Sequence, residues 1–489
     1  MTKKAMFKGW TVTFAGMGVN MALGVLYAWS VIKKAIPSEW GWDDADKALP
    51  YSIACIVFAV MMVPAGRLQD KIGPRWVATV GGILTGLGCI LASFATSVLW
   101  YVLGFGILAG AGIGLGYASA TPPAVKWFPA RMTGLIAGLV VAGFGLASVY
   151  ISPLANYITG YDLTGKPRAA LQELITAQTV AEAEVKGARE FLAKVEMVPQ
   201  KTGIQNALAT VAAKKLAKQA ADAKLLAMKE SNIHRTLLFF GIGFLILVTF
   251  LSQFLHVPPP GYRSEKPAAT GSAPTPTAPP INVNPGELLK TPLFYLLWIM
   301  LACGAGAGLM IIGNVTTIAK LGKIEAGFIL VAFLAIGNAS GRIIAGMLSD
   351  KIGRLWTMCI IFLFQAALMM LLRTGLTNMA AFMVISMLLG FNYGACLSVF
   401  PSAVKDNFGL KNFGVNYGLV FTAWGVGGFV FPLLAGKLFE AEKAATGAGG
   451  YNGAYMIAAV ALTLAAALTF VTRGVERKFK ASVSPSAPQ

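Results

Sequence analysis

Arg342 is the residue of this sequence with the clearest chemical capability, because of what surrounds it. The stretch 326–345 holds no other charged side chain, and a guanidinium in apolar surroundings must find acceptor oxygens to replace its lost water. No other long apolar stretch holds an ionisable group away from its ends, so no Asp or Glu is at hand as a fixed counter-ion. An arginine fork can grip a carboxylate through two parallel hydrogen bonds. The competing reading is a structural arginine satisfied by backbone carbonyls. Asn338 lies one helical turn earlier on the same face and can add a hydrogen bond to the same anion. Tyr27, Tyr117, Tyr150 and Tyr393 also fall on apolar stretches, where each can wall a site and donate a hydroxyl or simply pack. No Walker sequence, paired metal ligands or nucleophile–histidine pair occurs. The chemistry on offer is anion binding, with no catalytic residue, metal or cofactor expected.

The elements that must position these groups follow from composition. The chain has 489 residues, 56% of them hydrophobic and only 12% charged, against about 25% charged in soluble domains. Its mean hydropathy is +0.67. Runs such as 10–32 and 77–98 contain no charge at all, and 18 apolar residues already cross about 30 Å of hydrocarbon as a helix. Apolar segments fall at about 10–32, 50–66, 77–96, 98–122, 134–158 and 235–256, then at 292–318, 326–345, 356–372, 378–402, 414–436 and 451–472. An all-α membrane protein of twelve transmembrane helices, six plus six, is expected in the lipid bilayer. Arg342 precedes Asp350, at the end of its segment, by eight residues, which sets it about 12 Å deeper in the membrane. An arginine there costs a few kcal/mol unless it faces a cavity and a partner.

Charge sets the orientation. With both termini cytoplasmic, the inner segments hold nineteen Lys and Arg and the short outer loops hold eight, as the positive-inside rule requires. The same bias accounts for the net charge of +19 without nucleic acid. A basic start before an apolar run resembles a signal peptide, but the run is too long and lacks a small-residue cleavage site, so it is read as the first span. The five cysteines all lie in apolar segments, with no pattern of a disulfide frame or metal site.

Two insertions interrupt the spans. Residues 257–291 include Pro258-Pro259-Pro260 and an Ala/Pro/Thr/Ser run, an extended cytoplasmic linker between bundles. Residues 160–233 are rich in Ala, Lys, Glu and Gln and break near Pro199–Gly203, so they are expected to form an external helical hairpin. It is either a solvated decoration or has a partner-binding or lid role, with the protein partner unknown. The organisation expected is thus 1–256 as the first bundle with its insertion, 257–291 as linker, 292–472 as the second bundle and 473–489 as a cytoplasmic tail.

The chain also repeats at an offset of 280 residues. Residues 65–76 match 345–356 at eight of twelve positions, including Gly66, Asp70, Lys71 and Gly73 against Gly346, Asp350, Lys351 and Gly353. Gly134, Gly138, Leu139, Val140 and Gly145 recur as Gly414, Gly418, Leu419, Val420 and Gly425. Two halves in the same orientation imply a two-fold axis along the membrane normal, with the substrate path between them. The repeated glycines allow close helix packing and a tight turn. Asp70 and Asp350 can receive helix-start N–H groups or a basic residue, which assigns this motif to gating. The repeat also places Met62 where the second half has Arg342, so the fold itself does not demand a cation at that depth.

The doubled G-x-L-x-D-K-x-G motif resembles the signature of the major facilitator superfamily. Phe400-Pro401-Ser402, Asp406, Phe408-Gly409, Lys411-Asn412, Asn416-Tyr417-Gly418 and Ala423-Trp424-Gly425, with Tyr27-Ala28-Trp29-Ser30, resemble the oxalate/formate antiporter family, which is related to monocarboxylate transporters. The resemblance implies two six-helix bundles working by alternating access in the plasma (inner) membrane, with a small organic anion as substrate. Related carboxylate transporters carry an arginine at the place of Arg342. Proton-coupled relatives have an acid where this chain has Asn338, which favours exchange or facilitated diffusion over proton symport. Oxalate-transporting relatives have a lysine where this chain has Trp424, which favours a monocarboxylate such as lactate, formate or pyruvate over a dianion. Efflux of drug-like or neutral solutes, and a non-transporting sensor or scaffold, remain the rival expectations.

Overall fold

The structure is a computed structural model that describes residues 3–128, 132–162, 166–195, 201–259, 262, 282–324, 327–375, 377–409 and 412–483. The hairpin break at 196–200, most of the linker between 260 and 281, the end of the tail and the basic residues Arg131, Arg263, Lys266 and Lys411 lie outside the described residues.

Among the described residues the regular structure is entirely helical and there is no β-strand. In chain order the helices are α1 Lys3–Leu23, α2 Asp44–Ile72, α3 Pro74–Ala92, α4 Val98–Lys126, α5 Thr133–Ile158, α6 Ala169–Val195, α7 Lys201–Ser252, α8 Pro292–Leu321, α9 Gly327–Ile352, α10 Arg354–Arg373, α11 Met379–Phe408, α12 Phe413–Thr446 and α13 Asn452–Val483. All but α6 contain a stretch long and apolar enough to cross a membrane, twelve such spans among the described residues.

Local sequence explains the punctuation. A reciprocal capping box starts α2, with the Asp43 carboxylate accepting from the Asp46 N–H at 2.6 Å and the Asp46 carboxylate accepting from the Asp43 N–H. The α2–α3 and α9–α10 connections are single glycines, Gly73 at φ +89° and Gly353 at φ +93°. Only glycine enters that region without steric cost, which is why both copies of the motif end in it. Past Leu23 the first span tightens into a 3₁₀ turn, Gly24–Ala28, before a short helix Trp29–Ala35. Tyr27 sits on that turn. A π-helical stretch, Val102–Ala109, widens the start of α4, a form that recurs at functional sites.

In the first half α3 packs against α4 and α7, α1 against α4 and α5, and α2 against α4. In the second half α9 packs on α11, α8 on α12, and α10 on α13. The halves meet along α2–α12 and α5–α9, two interfaces that the 280-residue repeat relates to each other.

The insertion departs from the sequence expectation in one respect. Its second helix and the following span are a single 52-residue helix, α7, because no Gly or Pro between 204 and 240 interrupts it. Alongside it, α6 runs antiparallel, with Leu171, Ala181 and Val185 buried, as are Ala207, Val211 and Leu225 of α7. Gln178 donates to Asp222 at 2.8 Å and Lys214 pairs with Glu184 at 2.9 Å.

Candidate functional site

The centre of the molecule is where α1, α2, α4, α5, α9, α11 and α12 converge. Arg342 on α9 is 2% exposed and is the one charged side chain among the buried described residues. Its Nε–H donates to Asn338 Oδ1 at 3.1 Å and an Nη2–H to the Tyr27 hydroxyl at 3.3 Å, while Nη1 donates to the carbonyl of Val141 on α5. Tyr27 and Tyr393 hydroxyls lie 2.7 Å apart, and Trp424 Nε1 donates to Tyr393 at 2.8 Å. Five residues expected at a site are therefore joined in one hydrogen-bonded cluster drawn from both halves: Tyr27, Asn338, Arg342, Tyr393 and Trp424.

The arithmetic of this cluster is one-sided. Arginine and tryptophan side chains only donate. No carboxylate pairs with Arg342 among the described residues; every acceptor it uses is neutral. The Asn338 Nδ2 group is buried and has no hydrogen-bond acceptor among the described residues. An unmatched buried donor costs about 1–3 kcal/mol. What the cluster lacks is acceptor oxygen, and a carboxylate supplies it with a negative charge attached.

Around this polar line stands an aromatic wall. Tyr27 meets Phe144 edge-on at 5.0 Å, and Phe58 meets Trp424 at 5.0 Å, Tyr117 at 5.3 Å and Phe421 at 5.5 Å. Tyr117 thus belongs to the wall rather than to the hydrogen-bonded line. Tyr150 is placed elsewhere. Its hydroxyl donates to the Met21 carbonyl at 3.0 Å, tying α5 to α1.

Phe58, Phe144 and Phe421 were not singled out in the sequence, yet the repeat carried a signal for them. Subtracting 280 from Asn338 and Arg342 gives Phe58 and Met62, and adding 280 to Val141 and Phe144 gives Phe421 and Trp424. The centre is one set of equivalent positions used twice, with the buried amide and cation on α9 and the aromatic Phe58, Phe421 and Trp424 on the α2–α12 side.

The repeated motif lies at the end of the bundle opposite the hairpin. Asp70 pairs with Lys126 of α4 at 3.8 Å, both side chains half-exposed. In the second half Arg354 joins Asp350 at 2.6 Å and Asp406 of α11 at 2.9 Å, and donates to the Ser349 hydroxyl. These ion pairs stay within their own halves. Contact across the halves is made by Gly66, where an added Cβ would stand 3.1 Å from the Gly414 carbonyl carbon. Its counterpart Gly346 faces only Ser398 of α11, at an ordinary 3.8 Å. Lys71 and Lys351 are exposed.

A family model described as Major Facilitator Superfamily matches residues 9–165 and 311–488. The chain belongs to the major facilitator superfamily. It is 26% identical over 471 residues to an oxalate:formate antiporter of Oxalobacter formigenes, covering 95% of this chain and 92% of that one. Monocarboxylate transporter 11 of Mus musculus is 30% identical over 151 residues, 31% of this chain and 34% of that one. A solved structure of a bacterial homologue of the human lysosomal transporter Spinster, inward-facing and occupied, superimposes with a TM-score of 0.62 at 14% identity, covering 99% of this chain and all of that one. This member of the superfamily is accordingly a multi-pass integral membrane transporter of small molecules, all-helical with twelve spans.

Proposed function

We propose that the protein exchanges small organic monocarboxylates across the plasma membrane by alternating access, with both termini on the cytoplasmic side. The observation that carries this reading is the buried donor surplus at Arg342. Its fork takes the carboxylate, the Asn338 amide and the Tyr27 and Tyr393 hydroxyls complete the oxygen shell, and the aromatic wall bounds a short apolar remainder. One buried cation matches one carboxylate, whereas a dianion leaves a charge unbalanced in a dry site. Trp424, standing where oxalate-transporting relatives have lysine, supports that preference, and the antiporter and monocarboxylate transporter relatives support the substrate class.

Exchange follows from the same charge. An unaccompanied guanidinium at the centre is costly to carry through a reorientation, and the bound anion neutralises it. No carboxyl group is buried among the described residues to carry a proton in its place. Each half-cycle is therefore favoured with an anion aboard, and the empty carrier moves slowly.

The test is uptake of labelled lactate, formate and oxalate into proteoliposomes, with and without unlabelled anion inside, for wild type and Arg342→Gln. Internal anion is expected to accelerate monocarboxylate uptake at least tenfold, and the variant to be inactive. Equal rates in wild type and variant would sink the assignment, as would transport of a neutral solute in place of all three anions.

A further inference from the structure

Away from the centre, one cleft of about 420 Å³ is lined by charged and polar groups that lie outside the proposed anion site. It lies where α3 ends and α7 passes from the hairpin into its span. Ser93 and Phe94 form one wall, and Glu230, Ser231, His234 and Arg235 of α7 form the other, with Leu238 below. Thr236–Leu251 of α7 is uncharged, so Arg235 stands at the edge of the hydrocarbon. Phe94, Leu99 and Trp100 nearby are at least half exposed, as lipid-facing residues at an interface are.

The cleft is fixed from behind. Trp40, on the connection between α1 and α2, donates its indole N–H to Glu230 at 2.7 Å, and its neighbour Glu39 pairs with Lys229 at 3.1 Å. The Trp40 ring stands 6.0 Å from both the His234 and Tyr101 rings. Against this ordered background His234 Nε2 is buried and has no hydrogen-bond partner among the described residues, and the hydroxyl of fully buried Tyr101 is likewise without one. A guanidinium and an imidazole with a carboxylate one helical turn away on the same wall, and apolar surface toward the membrane, suit a zwitterion with a tail.

We propose that this cleft is a headgroup site for a phospholipid bearing a primary ammonium, an aminophospholipid of the ethanolamine type. The phosphate is held by Arg235 and His234, the ammonium is received by Glu230, and the glycerol end of the chains lies along Phe94 and Leu238. Phosphate is the group an arginine fork matches best. The ammonium carries three N–H donors that Glu230 can accept, whereas the trimethylated headgroup of choline has none. The site thereby joins the root of the hairpin to the surrounding bilayer.

The experiment uses the full chain in detergent and needs no variant to be decisive. Binding of dioleoyl phosphatidylethanolamine, its N-methyl series, phosphatidylcholine and phosphatidylglycerol is measured by native mass spectrometry and by the shift in thermal unfolding. Affinity is expected to fall stepwise with each methyl group, by about tenfold from ethanolamine to choline, the factor one charge-assisted hydrogen bond supplies. Glu230→Gln keeps an oxygen for Trp40 and should erase that discrimination. Arg235→Gln should weaken all phospholipids alike. Equal binding of ethanolamine and choline lipids by the wild type overturns the proposal, and so does preference for phosphatidylglycerol, which marks a purely anionic lipid site. Retention of full selectivity by Glu230→Gln overturns it as well.

Discussion

The two interfaces between the halves are built from equivalent positions and do opposite things. Along α2–α12 the backbones nearly touch. Added Cβ atoms would meet Gly414 from Gly66 at 3.1 Å, Met62 and Val63 from Gly418 at 3.2 Å, and Ala59 from Gly425 at 2.4 Å. Along α5–α9 the glycine Gly138, counterpart of Gly418, has its nearest neighbour at 4.0 Å, and the contact is made by Arg342 on the Val141 carbonyl and by Asn338 against Gly145. Backbone contact of the first kind has no competitor in solution and can act as a fixed pivot. A hydrogen bond from a cation to a neutral carbonyl is one that an anion can outbid, so the second interface is the one a substrate can open.

The sharpest way to break this comparison is Arg342→Met, which makes the α5–α9 side imitate Met62. Anion flux is expected to vanish, at least a hundredfold below wild type, while thermal stability in detergent holds or rises, because replacing an unpaired buried charge with a well-packed apolar side chain is often neutral or stabilising. Flux at the wild-type rate would make the arginine structural. Next in size is Gly425→Val, whose methyl groups have no room against Ala59; overpacking of this kind costs about 1–3 kcal/mol. Gly138→Val, with open space before it, should leave the unfolding midpoint within a degree or two. If both variants destabilise equally, the pivot is not confined to α2–α12.

Trp424→Lys tests the aromatic side of the centre. A second cation there should move the preference from monocarboxylate toward oxalate by about tenfold, read as competition against labelled formate and worth about 1.4 kcal/mol. The smallest effects belong to the motif ion pairs. Asp70→Asn removes a half-exposed pair and should change stability by less than about 1 kcal/mol. Arg354→Gln, which leaves two carboxylates facing each other, should cost more than Asp70→Asn in the same measurement.

Much of this was legible in one dimension. Hydropathy exposes spans because each helix must be apolar along its length, and the doubled motif exposes itself because two chain segments share residues at fixed spacing. Arg342 was visible because it has no charged neighbour in its segment, and Asn338 because it lies one turn away. The aromatic wall was not, because among 29 phenylalanines nothing local marks Phe58, Phe144 or Phe421 as central; their register comes from how four helices cross. The bond from Tyr150 to the Met21 carbonyl was hidden for a similar reason, since a backbone acceptor leaves no trace in residue identity. Nor could the motif show that its ion pairs stay inside each half while Gly66 reaches across.

The unbroken α7 has a practical consequence. At about 1.5 Å per residue, the part from Lys201 to Asn232 reaches roughly 50 Å from the bundle, braced by α6 along its flank. A helix that runs without a joint from that tip through the membrane moves with the first half as one stiff rod. An antibody fragment or optical label fixed to the hairpin would therefore report the tilt of that half directly, with the length of the rod amplifying an angular change of a few degrees into a displacement of several ångströms.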